Sequence, residues 1–368
     1  MSRIRSIAVW LQVAAALVSA SDATGGSRAQ AVSESFTIDV ARLEIRNLIG
    51  EIDVTTHDGA SFEVAVSYQG KDAVRHPPAV VRESGRDGEQ LTIRFPESRR
   101  YVYPRLGPGS ATQISENVDG GWFSKMMSGL FGESIKVAGS GSGLEVWADV
   151  EVQVPSGASL VVRHGVGAAR ALDVAADLEL ELRSGRVEAA RIGGNLTIET
   201  GSGQIDVDGV DGAVELSTGS GSVDAREIRG PAASIATGSG GVTLVRIDSR
   251  SLSVATGSGR VDADGVSADR ATIATGSGGV RLEMDRMGDG SFEIGTGSGR
   301  VVLEVPPSAS LDVHAETGSG GIDLEMGGAP LNMTHRDRDE VRFSVGGGEA
   351  KVRISTGSGG VVIAQSTR

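Results

Sequence analysis

Eight copies of Thr-Gly-Ser-Gly, with the Thr at 200, 218, 237, 256, 275, 296, 317 and 356, are the first residues here that suggest chemistry. Glycine-rich runs cradle phosphate when a Lys-Ser/Thr pair follows and a helix starts there. No Lys follows these copies and the next residues alternate as a strand does, so a phosphate loop is not expected. Carboxylates are the second candidate. Asp206, Asp208, Asp224, Asp262, Asp264, Glu283 and Glu304 would serve a β-helical polysaccharide lyase or hydrolase if they converged with a base on one groove. They are strung along the chain with Arg226 and Arg281 among them, the pattern of a solvated sheet face. His335, Asp337 and Asp339 suggest a metal, yet they sit in a polar loop, and the histidines at 57, 76, 164, 314 and 335 share no motif. The calcium pattern G-G-x-G-x-D is absent around Asp206 and Asp224. The expectation is therefore no catalytic residue, no cofactor and no metal.

The elements that carry these residues follow from their spacing. The motif recurs at steps of 18, 19, 19, 19, 21, 21 and 39, and a weaker copy, "RSGRV", stands at 183–187. Two residues before the Thr stand Ile198, Leu216, Ile235, Val254, Ile273, Ile294, Ala315 and Ile354. Five after it stand Ile205, Val223, Val242, Val261, Val280, Val301, Ile322 and Val361. Flanking positions four before and seven after are also apolar or small. This is period-two alternation on both sides of Gly-Ser-Gly, so each repeat is two short strands joined by a corner. The corner glycines are expected to supply φ > 0. The Thr shares parity with the inward residues, so its hydroxyl is expected inside, bonded to the corner backbone. That parity also argues against an outward Thr row of the ice-binding kind.

A period of this length marks a solenoid, in which each unit buries its face against its neighbours. The fold class expected is all-β: a parallel β-helix with coils of 19 to 21 residues, in preference to an antiparallel meander. A coil of twice that length stays open. The residue after Gly-Ser-Gly runs Gln204, Ser222, Gly241, Arg260, Gly279, Arg300, Gly321 and Gly360. Arginines are never consecutive, as stacked like charges would repel.

"LELELRSGRVEA", "LTIETGSGQIDVDGV" and "VELSTGSGSVDA" resemble the bacterial DUF4097 family of β-strand repeat proteins, and "LEIRNLIGEIDV" (43–54) resembles its opening repeat. The resemblance spans roughly 32–70 and 145–368. It implies an exported, single-stranded, right-handed β-helix, often labelled adhesin-like. It implies no settled activity and no catalytic motif, so no residue inherits a role from it.

The rest of the chain is read as follows. Residues 1–31 are expected to be a signal peptide: Arg3 and Arg5, an apolar run at 7–20, and "AQA" at 29–31. Residues 32–103 are expected to form a β cap and first coils, 104–143 an irregular insertion with a short amphipathic helix, and 144–368 the solenoid. Within the insertion Trp122, Phe123, Met126, Met127, Leu130 and Phe131 are the candidate interaction patch. They either pack on the solenoid or contact a partner or a membrane surface peripherally. Residues 327–350, where a Thr-Gly-Ser-Gly is missing, are read as a coil with a longer polar loop. The final coil, with Val352, Ile354, Val361 and Ile363 inward, is expected to end the stack as an exposed edge. Lys351 and Arg353 are its gatekeepers, and 327–350 is a lid.

Composition bounds the function. Aromatics are 4%, too few for an ordinary globular core, while 39% hydrophobic residues are too many for a disordered Gly/Ser polymer. The absence of cysteine removes disulfides and thiolate metal sites. A net charge of −13 argues against nucleic acid as a partner. The reading is a non-catalytic exported cell-envelope module, binding, adhesin-like or scaffolding, monomeric, periplasmic or at the surface. Its expected partner is an envelope protein or polysaccharide. The alternatives are a carbohydrate-active β-helix, a polysaccharide-binding protein, or a periplasmic envelope-stress sensor module.

Overall fold

The computed structural model describes residues 32–85, 88–115, 134–328 and 330–366. Strands make up 67% of the chain, and the one helical element among the described residues is a single 3-10 turn, Pro104–Leu106. The strands flanking Gly257-Ser258-Gly259 are Val242–Thr256 and Val261–Thr275. They pair in parallel, residue for residue: Val242 with Val261, Leu252 with Ala271, Thr256 with Thr275. A meander would have made them antiparallel. Each repeat thus lies on the next, and equivalent residues form rows along the axis of the stack.

Two parallel ladders result. The first takes Arg42–Ile49, Ser159–Val166, Asp177–Ser184, Leu196–Ser202 and Val214–Ser220 in turn. The second takes Ile52–His57, Ala169–Val174, Val187–Ile192 and Ile205–Asp211. Val223–Thr237, Val242–Thr256 and Val261–Thr275 are long enough to serve both ladders in one run. The core is the rows anticipated from the alternation: Ile198, Leu216, Ile235, Val254, Ile273 and Ile294 are all buried, as are Ile205, Val223, Val242, Val261, Val280 and Val301. Each such side chain contributes on the order of 1.5–3 kcal/mol by leaving water, so the stack holds together by repetition of small increments.

The corner glycines do not work as expected. Neither Gly257 nor Gly259 has a positive φ. They are glycine because the backbones of successive coils nearly touch there. A Cβ on Gly259 would stand 1.7 Å from the carbonyl oxygen of Gly240, and one on Gly278 1.8 Å from that of Gly259. At this corner positive φ is confined to the earlier coils, at Gly50 (145°), Gly167 (138°), Gly185 (154°) and Gly203 (159°); in the later coils it belongs to a second corner, which lies six residues after Gly203 and Gly259. Asp173 (φ 56°), Arg191 (55°), Gly209 (79°), Glu227 (53°), Arg246 (55°) and Gly265 (70°) occupy one row. This extra residue turns the chain, so that Val210, Ile228, Ile247 and Val266 again point inward.

The first coil, 42–57, is not the end of the stack. Glu89–Arg94 pairs on the outer side of Arg42–Ile49, and Trp147–Pro155 on the outer side of Ile52–His57. Antiparallel strands then close the end: Ala79–Ser84 on Glu89–Arg94, and Phe62–Gln69 followed by Val32–Ile38 on Trp147–Pro155. Arg100–Val102, Ser134–Ala138 and Ala111–Ser115 form a small separate sheet.

The other end departs from chain order. The last coil is not an exposed edge. Ala350–Thr356 lies between Ser291–Thr296 and Leu311–Thr317, parallel to both. Val361–Gln365 lies likewise between Val301–Val305 and Ile322–Glu325. Nor is 327–350 a coil. Leu331–Arg336 and Glu340–Val345 form an antiparallel hairpin on the outer side of Leu311–Thr317. The lid therefore covers the 311–317 strand and leaves the 350–356 strand to its neighbouring coils. Period alone could not reveal this, because coils 291–305, 311–325 and 350–365 present the same inward residues and fit one another in either order.

The two corners make different demands on a side chain. Gly259→Ala is expected to lower stability by about 1–3 kcal/mol or more, because no side chain can give way to a backbone carbonyl. Ser253→Val, on an exposed strand position, should change it by no more than about 0.5 kcal/mol. Equal melting temperatures for the two variants would place the tight contact elsewhere.

Candidate functional site

The repeated Thr is the buried polar group of the stack. Thr218, Thr237, Thr256, Thr275, Thr296, Thr317 and Thr356 are at most 6% exposed. Thr218 donates to the carbonyl of Gly203, and from Thr237 onward each hydroxyl bonds two backbone groups. Thr256 accepts from the N–H of Gly259, 3.0 Å away in its own corner, and donates to the carbonyl of Gly240, 3.0 Å away in the preceding coil. Thr275 repeats this with Gly278 and Gly259. The relay also follows the unusual order of the far end: Thr356 donates to Gly299, and Thr317 to Gly359. The proton of each is given to the backbone and the oxygen is buried, so these hydroxyls do not present a donor to a ligand. Thr200, where the row begins, has a buried hydroxyl without a partner.

Outward charges are also used along the axis. Arg191 pairs with Asp173 at 2.7 Å, Arg246 with Glu227 at 2.6 Å, and Arg286 with Asp269 at 2.8 Å. Of the sequence candidates, Asp206 is held by Arg186 at 2.7 Å, and Gln204 bonds both Asp206 and Asp224. Glu304 is held by Arg281 at 2.9 Å. Glu283 is drawn in to 3% exposure, 3.4 Å from Arg281, in a coil that lacks the extra corner residue and sets Met284 opposite Val266. Near the first coil Arg163 binds Glu44, Glu179 and Glu181 together. The structure sets Asp206, Glu283 and Glu304 beside guanidinium groups and Asp224 beside an amide, in rows along the stack.

Two shallow open troughs run along the stack. One, of about 570 Å³, is lined by Ser217, Ala236, Ala255 and Ala274 with the adjoining Thr-Gly corners. It holds no charge and no aromatic ring. The other, of about 300 Å³, follows the positive-φ row, where Asp173, Arg191, Asp211, Glu227 and Arg229 mix both signs. Neither assembles a nucleophile with a base. Among the described residues no group of three His, Cys, Asp or Glu is arranged to hold a metal ion, and the one exposed large apolar side chain is Val74.

Sequence reasoning gave His164 no role and missed Asn47. Both sit in the Thr row, ahead of Leu182 and Thr200. Extending the column alignment back through 43–49 and 160–166 would have found them. His164 is fully buried, with Nε2 3.0 Å from the carbonyl of Gly50 and Nδ1 3.3 Å from that of Asn47. Burial pushes its pKa down to about 4, against the pull of the two carbonyls and of Asp149 towards the charged form.

Residues 148–364 match the Toastrack DUF4097 family. The chain belongs to that family. No curated protein matches it. A solved structure from Clostridium sporogenes ATCC 15579, described as a "putative cell adhesion protein", is 11% identical and has a TM-score of 0.22. The similarity covers 91% of this chain and 100% of that one. The family assignment agrees with the rows of this Toastrack array, which begin to repeat regularly at Ser159–Val166.

The remaining sequence candidates are scattered over the Toastrack chain. Trp122, Phe123, Met126, Met127, Leu130 and Phe131 lie outside the described residues, as does the 1–31 segment. His335 stands 3.2 Å from Asp337, and His314 3.1 Å from Glu340, which also takes Arg342 at 2.7 Å. Through the His314–Glu340 hydrogen bond this polar cluster ties the hairpin to the 311–317 strand. No described helix is long and apolar enough to cross a membrane.

His164 makes the fold sensitive to acid. Its folded pKa lies below the 6.5 of a free imidazole, so the unfolded chain binds the extra proton between pH 6.5 and 4. The stabilisation is fully present above pH 6.5, falls as pH drops through this window, and loses up to about 3 kcal/mol by pH 4. His164→Thr, which puts the row's usual residue there, should flatten the window. Denaturant titrations of both proteins across it check this; parallel curves would refute it.

Proposed function

We propose that this Toastrack chain is an exported, non-catalytic cell-envelope protein: a right-handed solenoid with coils of 19 to 21 residues that presents rigid, flat rows to a partner. The observation that carries this reading is the use of the outward charges. Arg191 with Asp173, Arg246 with Glu227 and Arg281 with Glu304 are committed to pairing along the stack. A hydrolase or lyase needs carboxylates left free to converge on a sugar. The surface that remains is the uncharged strip of Ser234, Ser253 and Thr272 beside Ala236, Ala255 and Ala274. Repeated hydroxyls on a straight stack suit an extended envelope protein or polysaccharide better than a small substrate. Residues 1–31 act as the export signal in this reading, and 144–368 form the working rod.

Two experiments on the exported protein test it. The first incubates it with a panel of envelope polysaccharides and reads new reducing ends and unsaturated products; none are expected, and either product would overturn the non-catalytic reading. The second captures it with its partners from its own cell envelope. Ser234→Arg with Thr272→Arg, two exposed positions with Ser253 between them, should then reduce capture at least tenfold without changing the melting temperature. Undiminished capture would remove the uncharged strip from the interface.

A further inference from the structure

The last coil is held in a slot. Between coil 291–305 and coil 311–325 there is room for one layer, and residues 350–365 fill it. Phe292, Val352 and Val313 form one row through the slot, Ile294, Ile354 and Ala315 another, and Thr296, Thr356 and Thr317 a third. The layer is bonded on both sides. Lys351 N–H donates to the carbonyl of Gly290, and Ala350 N–H to that of Ser310.

The way in is narrow. Val345 pairs with Leu311 on one side of the 311–317 strand, and Ala350 pairs with the same Leu311 on the other. Gly346-Gly347-Gly348-Glu349 therefore crosses that strand in four residues. Gly346 has φ 63° and Gly348 φ 73°, and Gly348 N–H is tied to Ser310 Oγ at 2.9 Å. The crossing spans two strand spacings, roughly 10 Å. The hinge is thus short, glycine-rich and held in left-handed conformations, and the segment beyond it is a complete coil whose contacts lie almost wholly with the slot.

We propose that residues 350–365 are exchangeable between chains: the coil of one copy enters the slot of a second copy, giving a reciprocally swapped dimer. Each contact of the coil is the same in cis and in trans. The balance is then set by how easily the glycine hinge extends and by protein concentration against the effective concentration of the tethered coil, of order millimolar. The identical row residues that made the order of the coils ambiguous in sequence are what make a foreign coil acceptable in the slot.

The chain has no cysteine, which permits a direct test. Glu316 and Ser355 are direct partners across the slot. One full-length chain carries Glu316→Cys and another carries Ser355→Cys. They are unfolded together, refolded at high concentration and oxidised. The expected product is a disulfide-linked pair of about twice the single-chain mass, containing one chain of each kind. Refolding to single-chain mass alone, or cross-linking only between like chains, would overturn the proposal. A second variant lacks Gly346–Gly348. Its remaining hinge residue reaches at most about 7 Å, too short to cross in cis. This variant should be a dimer by light scattering at all concentrations, and a folded monomer would overturn the proposal as surely.

Discussion

A carbonyl oxygen of one coil lies almost against the α-carbon of the next at every Thr-Gly-Ser-Gly corner. At Gly259 and Gly278 the space where a side chain would begin is already taken by the backbone below. The Thr hydroxyl spans the same joint, tying its own corner to the coil beneath. Together these two contacts fix the height and the register of each layer. A slip of one residue would bring a Cβ against a carbonyl and point every buried Val and Ile into water. The parallel ladders, the inward rows and the flatness of the outer strip all follow from that joint.

Fixed register has an electrostatic cost that the outer surface must meet. Stacking places the same position of each repeat about 4.8 Å from its copies, so like charges cannot be repeated freely. The chain answers with alternation. Asp211, Arg229 and Asp248 follow one another in one row. Gly209 separates the Arg191–Asp173 pair from the Arg246–Glu227 pair, and Gly265 follows the second. Arg260 and Arg300 have Gly279 between them. Acids do stack in places, and there a neighbour bridges some of them: the Gln204 amide bonds both Asp206 and Asp224, and Arg281 reaches both Glu283 and Glu304. Holding four non-glycine residues in left-handed conformation costs of order 1–2 kcal/mol each, and surface ion pairs offset only part of that. The rows of buried aliphatic side chains carry the remainder.

Much of this was legible before any coordinates. The inward rows, the inward Thr, the parallel stacking and the spacing of the arginines all follow from period-two alternation aligned on one residue. Three features were not legible, for separate reasons. The glycines of the corner look alike whether they serve φ or close approach, and Gly257 and Gly259 serve the second. The extra residue at Glu227 and Arg246 hides in a polar stretch, although the apolar residue three places after the previous inward one, at Val210, Ile228, Ile247 and Val266, does mark it. The nesting of coil 350–365 leaves no mark, since Thr356 suits either neighbour. Candidate sites fared differently. The scattered acids are read from sequence as a solvated face, and three of them, Asp206, Glu283 and Glu304, pair with arginines; His164 is visible as a histidine, but its place in the Thr row is not, because it stands where the motif has decayed.

The nested end also bears on how such a chain changes length over generations. The coils between 223 and 275 meet their neighbours through the same joint, so duplicating one adds a layer and disturbs nothing outside it. The last three coils have no such freedom. They interlock out of chain order, and a layer added among them would have to thread a slot already sized for one. Growth by duplication is thus confined to the middle of the rod, and the interlocked end travels outward as a finished cap.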